Sequence, residues 1–166
     1  MPTAAPDAYH LKTLWQFEEP INVVWDAIAD AERWPIWWKG IESVKTLDCG
    51  EADGLGARRC YTCRSVLPMR LTFVGRVTRV VPMHLIEGLV EGELQGVGCC
   101  RLERSDGLTV VHYDWQVRTT TRWMELLAPL AKSLFRWNHD QIMRAGGISL
   151  ARHLNARPES GADRIP

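Results

Sequence analysis

The sequence predicts an α+β fold: a seven-stranded curved antiparallel sheet wrapped around one long C-terminal helix, with two short helices after the first strand. Three observations predict it. Between residues 57 and 118, alternating apolar and polar runs are joined by tight-turn signals, so consecutive strands pair with one another. Helical spacing of apolar residues is confined to two short stretches near the start and one long stretch at the end. The order strand, two helices, six strands, long helix lets a sheet bury its apolar face beneath the last helix.

Tyr9 to Phe17 alternates as a first strand, with Leu11, Trp15 and Phe17 among its apolar positions. Pro20 opens a helix over Ile21 to Asp30, where Val24, Trp25 and Ile28 recur at helical spacing. Pro35 is expected to interrupt a second short helix carrying Trp34, Trp37 and Trp38. Ile41 to Leu47 forms the second strand, and the turn-rich Cys49 to Gly54 follows it. Five further strands run to about Thr119. Arg122 to Leu154 is the long helix, with Pro129 in its first turns and Gly146-Gly147 softening it. Residues 1–8 and 156–166, rich in Pro, Ala and Gly, are expected to be flexible ends around a single domain over 9–155.

Turn chemistry gives the registers. Asp106-Gly107 is a two-residue hairpin signal that sets Leu102 opposite Val111, Cys100 opposite Tyr113 and Gly98 opposite Trp115. A Leu67-Pro68 turn pairs Thr62 with Phe73 and Cys60 with Gly75, and Pro82-Met83 pairs Val77 with Gly88 and Gly75 with Val90. A turn over Leu94-Gln95-Gly96 brings Gly92 to Gly98 and Val90 to Cys100. Because alternate strand residues share a face, one face holds Arg58, Cys60 and Thr62, then Phe73, Gly75 and Val77. Ile86, Gly88, Val90 and Gly92 continue it, and Gly98, Cys100, Leu102, Val111, Tyr113 and Trp115 complete it. Six of these sixteen residues are Gly or Cys, too small to fill the space under a covering helix to native density. The expectation is a ligand cavity of at least several hundred Å³.

Other features narrow the chemistry. Lys+Arg and Asp+Glu balance at 20 each, so no global field favours nucleic acid or an acidic membrane. No signal-peptide pattern precedes Tyr9, and no apolar run reaches the roughly 20 residues a membrane span needs; a cytoplasmic protein without stable membrane insertion is expected. Four of the eight Trp (Trp25, Trp34, Trp37, Trp38) cluster as a wall or lid. The five cysteines read as small apolar filler in a reducing compartment: Cys60-Tyr61-Thr62-Cys63 matches C-x-x-C, yet residues three apart on a strand face opposite ways. No motif for a phosphate, dinucleotide or metal site is present, so no cofactor and no metal is expected.

Arg58 is the sharpest candidate. On the inward face it would anchor a ligand carboxylate, enolate or carbonyl through its planar five-donor group, or else snorkel from the rim into solvent. Tyr113 would offer a hydroxyl to the cavity or sit in the core with that hydroxyl satisfied. His112 and Asp114 read as an outward charge ladder with Arg101. On the long helix, Leu127, Leu130, Leu134, Asn138, Ile142 and Ala145 form an inward stripe, with Asn138 its polar member and His139 turned toward the sheet edge or solvent. The expected ligand-binding set is therefore Trp34, Trp38, Arg58, Cys60, Phe73, Gly75 and Gly88, with Val90, Cys100, Tyr113, Trp115, Leu134, Asn138 and Ile142; Arg58, Tyr113 and Asn138 are the catalytic candidates.

Several segments together carry a resemblance to a known family. They are Phe17 through Pro20 with Val24-Trp25-Asp26-Ala27-Ile28, Trp34-Pro35-Ile36-Trp37-Trp38, Gly54-x-Gly56, Gly98 through Glu103, and Thr109 through Trp115. Through them nearly the whole chain resembles the START and birch-pollen-allergen-like helix-grip superfamily (SRPBCC), and within it the polyketide cyclase/dehydrase-like branch. The resemblance implies the helix-grip fold and a hydrophobic small-molecule partner, leaving the substrate open because that scaffold hosts many functions. Three function classes follow. The first is a carrier that sequesters a lipid, aromatic or polyketide-like molecule. The second is a cofactor-independent cyclase, dehydratase or aromatase in which Arg58, Tyr113 or Asn138 steadies an enolate. The third is a partner-protein-binding domain acting through the Trp34 to Trp38 segment. A homodimer is compatible with each.

Overall fold

The computed structural model describes residues 8–64, 70–120 and 128–156. The expectations for residues 1–7 and 157–166, for the Leu67-Pro68 turn, for Leu127 and for a helix start at Arg122 lie outside the described residues. Seven strands form one antiparallel sheet in the order β1-β7-β6-β5-β4-β3-β2: β1 (Tyr9–Phe17), β2 (Ile41–Asp48), β3 (Arg58–Arg64), β4 (Arg70–Val81), β5 (Leu85–Gly92), β6 (Leu94–Ser105) and β7 (Leu108–Thr119). Helix α1 (Ile21–Ala29), a 3₁₀ turn (Ala31–Arg33) and the single-turn helix α2 (Trp34–Trp37) link β1 to β2, and the long helix α3 (Ala128–Asn155) ends the described chain. This is the helix-grip arrangement expected from the element order.

Local chemistry explains the junctions. Pro20 caps α1 by its position and carbonyl, which accepts from the Val23 and Val24 amides. The interruption expected at Pro35 does not occur, because Pro35 lies in the first turn of α2, where a missing N–H costs no hydrogen bond. The Asp106-Gly107 hairpin adopts positive φ at both residues, 50° and 80°, the geometry its sequence favours. Thr109, fully buried, donates to the Glu19 carbonyl at 2.6 Å and accepts from Arg104 at 2.9 Å, tying this hairpin to the β1–α1 corner.

The β6–β7 register is the expected one, with Leu102 opposite Val111, Cys100 opposite Tyr113 and Gly98 opposite Trp115. The β4–β5 pairs Val77–Gly88 and Gly75–Val90 are also as expected, with a bulge beyond Val77. Two registers differ. Between β5 and β6 the turn is centred two residues earlier, so Gly88 meets Gly98 and Ile86 meets Cys100. The reason lies in which glycine turns: Gly92, at φ 115°, leaves β5 there, while Gly96 lies within β6, where a side chain would collide with the Gln116 carbonyl. This slip is even and changes no face. Between β3 and β4 the slip is odd. Tyr61 pairs with Phe73 and Arg59 with Gly75, because five residues, not an even number, separate the paired Arg64 and Arg70. A one-residue slip reverses every side chain of a strand, so Arg58, Cys60 and Thr62 lie on the outer face and Arg59, Tyr61 and Cys63 on the inner one.

Helix α3 also departs from expectation in rotation. Ala131, Met143, Leu150 and Leu154 are buried, Phe135 and Ile142 pack partly against the core, and Leu130, Leu134 and Ala145 are exposed. Both sides of its first half carry apolar residues, so periodicity alone could not choose between the Leu130/Leu134 side and the Ala131/Phe135 side. Tyr9 on β1 resolves it by packing its ring 4.4 Å from that of Phe135.

The glycine pair has a different role from the expected softening, since the helix runs through it unbroken. A Cβ on Gly146 would lie 2.5 Å from the Trp38 indole, and one on Gly147 would lie 2.8 Å from that of Trp15. The two indoles also donate to helix carbonyls, Trp38 to Ile142 and Trp15 to Met143, each at 3.0 Å. The glycines therefore form a slot into which two tryptophans fit. Gly146→Ala and Gly147→Ala should each destabilise the fold: a gain of about 1 kcal/mol in helix propensity is outweighed by overpacking of roughly 1–3 kcal/mol. Thermal melts check this, and an unchanged or raised melting temperature would show that the slot is not tight.

Candidate functional site

Beneath the first half of α3 lies a cavity of about 200 Å³. This is smaller than the several hundred Å³ expected, and the β3 register gives the reason: Tyr61 occupies the inner face where Cys60 and Thr62 were expected, and Phe135 enters from the helix. Its floor is built where the strands carry no side chain. Gly88 and Gly98 are directly paired, Gly98 faces Trp115, and Gly75 lies on the adjoining strand. The missing side chains have specific neighbours. A Cβ on Gly98 would touch the Trp115 indole at 3.7 Å, and one on Gly75 would press on Tyr61 at 3.1 Å.

A run of aromatic ring contacts leads from Tyr113 to Trp115, and all of its members except Trp15 line the cavity. Starting on β7, Tyr113 meets Trp15 at 4.9 Å between ring centroids, Trp15 meets Trp38 at 5.4 Å, and Trp38 meets Trp34 at 5.4 Å. Trp34 then meets Tyr61 at 5.6 Å, Tyr61 meets Phe73 at 5.3 Å, and Phe73 meets Trp115 at 5.7 Å, returning to the strand on which the run began. These separations fall in the range where offset and edge-to-face ring pairs attract. The Trp34 indole is fixed further by donating to the Ile28 carbonyl at 3.1 Å.

Most of the expected ligand-binding residues come together here. Trp34, Trp38, Phe73, Gly75, Gly88 and Val90 line the cavity, as do Cys100, Tyr113, Trp115, Asn138 and Ile142. Three do not. Arg58 and Cys60 face outward by the register parity, and Leu134 is 44% exposed on the outer side of α3. With Arg58 on the outer face, paired with Arg76 and Asp48, neither an inward anchor nor an enolate-stabilising role is open to it. Its neighbour Arg59 takes the inward side, beside Tyr61. Lining residues that sequence reasoning missed include Tyr61, Cys63, Phe135, His139 and Met143. One signal pointed to Tyr61: Gly75 on the neighbouring strand leaves room for a ring, as Gly98 does for Trp115.

Polar groups in this apolar space are few and neutral. Burial pushes the thiols of Cys63 and Cys100 up to about 12, so neither supplies a thiolate at ordinary pH. Burial also holds the Tyr113 phenol well above its ordinary value, with Cys100 adding to the effect. His139, expected at the sheet edge or in solvent, instead lines the cavity, and desolvation lowers its pKa despite Asp140 at 3.5 Å. The Tyr113 hydroxyl is hydrogen-bonded with the Cys100 thiol and His139 Nδ1 faces Asp140, while His139 Nε2 is buried without a hydrogen-bond partner among the described residues. Such groups are rare in folded proteins and costly. Outside the cavity, His112 pairs with Glu103 at 3.0 Å and His10 with Asp114 at 2.9 Å, a solvated ladder on the outer face.

Known proteins share this architecture. The family described as polyketide cyclase / dehydrase and lipid transport matches residues 17–145. No curated protein matches the chain by sequence. Among solved structures, the Zhui aromatase/cyclase from Streptomyces sp. R1128 superposes with a TM-score of 0.73 at 16% identity, covering 93% of this chain and 99% of that one. TTHA0849 from Thermus thermophilus gives 0.71 at 13% identity, covering 87% and 99%. The ginseng major latex-like protein 151 from Panax ginseng gives 0.68 at 9% identity, covering 89% and 97%. At these identities the structures share the fold, and the match over residues 17–145 carries the assignment: the chain belongs to the polyketide cyclase / dehydrase and lipid transport family.

Proposed function

We propose that this protein binds a mostly apolar small molecule in the cavity beneath α3, as a carrier or sequestering module. The observation that carries the reading is an apolar cavity over a glycine floor, lined by a run of aromatic rings. Concave, mostly apolar sites with a few polar groups are the usual form of small-molecule pockets. Catalysis of the cyclase type finds less support. The two cavity thiols are neutral and Arg58 does not reach the wall. No helix among the described residues is long and apolar enough to cross a membrane.

Titration with p-xylene and p-cresol tests this reading, because a dry apolar cavity of about 150 Å³ already admits benzene. At least one of them should bind with one-to-one stoichiometry and raise the melting temperature. Cys100→Phe, which places a ring at the centre of the cavity, should abolish that binding while leaving stability equal or higher, since it buries apolar area in open space. Lost stability with undiminished binding would contradict the reading, as would failure of both compounds to bind.

The neutral state of His139 gives a pH dependence with a definite sign. Its folded-state pKa is lowered by burial, while the unfolded chain takes up the proton near the ordinary 6.5. The folded state is therefore fully favoured above 6.5 and loses stability as the pH falls below it toward the folded value. His139→Leu removes this loss. Between about pH 7.5 and pH 5, a window that brackets the ordinary imidazole value, the wild type should lose more melting temperature than the variant. Parallel curves would show that His139 is not buried as a neutral group.

A further inference from the structure

The two edges of the sheet differ, and from that difference we infer that two copies of this chain join through β1, edge to edge about a two-fold axis, into one continuous sheet. The strand order leaves β1 and β2 each with one unpaired side among the described residues. An unpaired edge offers a row of N–H and C=O groups to another strand, and folded proteins blunt such edges with bulges, prolines or charges. β2 is blunted in this way: its pairing with β3 breaks register twice, between Ile41 and Ser43 and between Thr46 and Asp48. β1 is straight. Its nine residues, Tyr9 to Phe17, pair with β7 in one unbroken register, and they include no proline and a single lysine, Lys12. Helix α3 does not cover that edge, because an open groove of about 520 Å³ runs between the two, bordered by the consecutive strand residues Lys12 to Phe17. Successive strand residues alternate between faces, so what they share along the groove is the backbone edge.

The edge is self-complementary, as an isologous interface requires. A two-fold axis normal to the sheet keeps the outer faces of both copies on one side, and an axis through Thr13 pairs the whole strand, Tyr9 with Phe17 of the second copy and Lys12 with Leu14. Leu14, 54% exposed on the outer face, then packs on the apolar stem of that lysine. An axis through Lys12 would instead oppose two lysines, and one through Leu14 would shorten the ladder. Helix α3 adds a second complementarity. It runs in the same sense as β1, with Phe135 beside Tyr9 and the Met143 carbonyl accepting from Trp15. Thr13 therefore stands level with the turn from Asp140 to Arg144, two exposed charges that border the groove. The axis reverses the second helix, so Asp140 of each copy faces Arg144 of the other and the ion pair is made twice. Ile148, 50% exposed on the same border, supplies apolar surface beside it.

Sedimentation equilibrium of the full chain tests this, and none of its readouts involves the cavity, so the result is independent of the binding reading. The wild type should be dimeric at about 100 μM, a concentration that populates even a weak specific complex. Leu14→Lys places a lysine opposite Lys12 and should weaken the dimer about tenfold, because the axis makes each cross-strand pair twice. Leu14→Glu places an acid there and should leave it as tight or tighter. Asp140→Arg and Arg144→Asp should each weaken the dimer, and the double exchange should restore it, a rescue that damage to the fold would not give. Unchanged far-ultraviolet circular dichroism shows that each variant is folded. A monomeric wild type would overturn the inference, as would a dimer left intact by both Leu14→Lys and Asp140→Arg. Equal weakening by Leu14→Lys and Leu14→Glu would overturn the register centred on Thr13.

Discussion

The fit of Trp15 and Trp38 against the glycine pair of α3 sets how the long helix stands on the sheet. With no side chains at Gly146 and Gly147, the indoles reach the helix backbone and donate to the carbonyls of Ile142 and Met143. The second half of the helix is thus drawn onto β1 and α2, where Leu150 and Leu154 complete a tight core. The first half leaves that contact and spans the glycine floor. A helix held tightly at one end and set over small residues at the other leaves open space without losing the core that supports it.

The same two tryptophans belong to the run of rings. Trp38 links the helix slot to Trp34, and Trp15 links it to Tyr113, so the elements that fix the helix also fix the cavity wall. This coupling gives the tryptophans of the run two tasks at once. Trp15, Trp34 and Trp38 each pack against neighbouring rings and also place their N–H on a backbone carbonyl. The rings are fixed in advance of any guest, which lowers the entropic cost of binding. The neutral phenol of Tyr113 and imidazole of His139 stand out against that wall because the side chains around them are mostly apolar.

Much of this was legible in the sequence, and the failures have physical causes. Asp106-Gly107 fixed the β6–β7 register because only one turn geometry suits both residues, and with it the positions of Gly98, Cys100, Tyr113 and Trp115. The β3 face was not legible, since inferring it required the parity of the connection between Arg64 and Arg70, and a Leu-Pro pair does not specify that parity. That error put Arg58 and Cys60 inside and Tyr61 outside. The inner side of α3 was readable only where one face is apolar: Asn138 and Ile142 were located correctly, but Leu134 was not, because Phe135 is equally apolar. Gly146-Gly147 looked like a weakness in a helix, and only the tertiary partners reveal a slot. His139 was missed for a related reason, as its location depends on how the helix is rotated over the sheet.

Xenon tests most directly whether the glycine floor and the first half of α3 enclose open space. It is apolar, spherical and indifferent to the hydroxyl chemistry of the wall, so it reports the void alone. Crystals pressurised with xenon should show an atom over the paired Gly88 and Gly98, in contact with Trp115 and Phe135. Xenon absent from that position, with protein side chains filling the floor, would contradict the account.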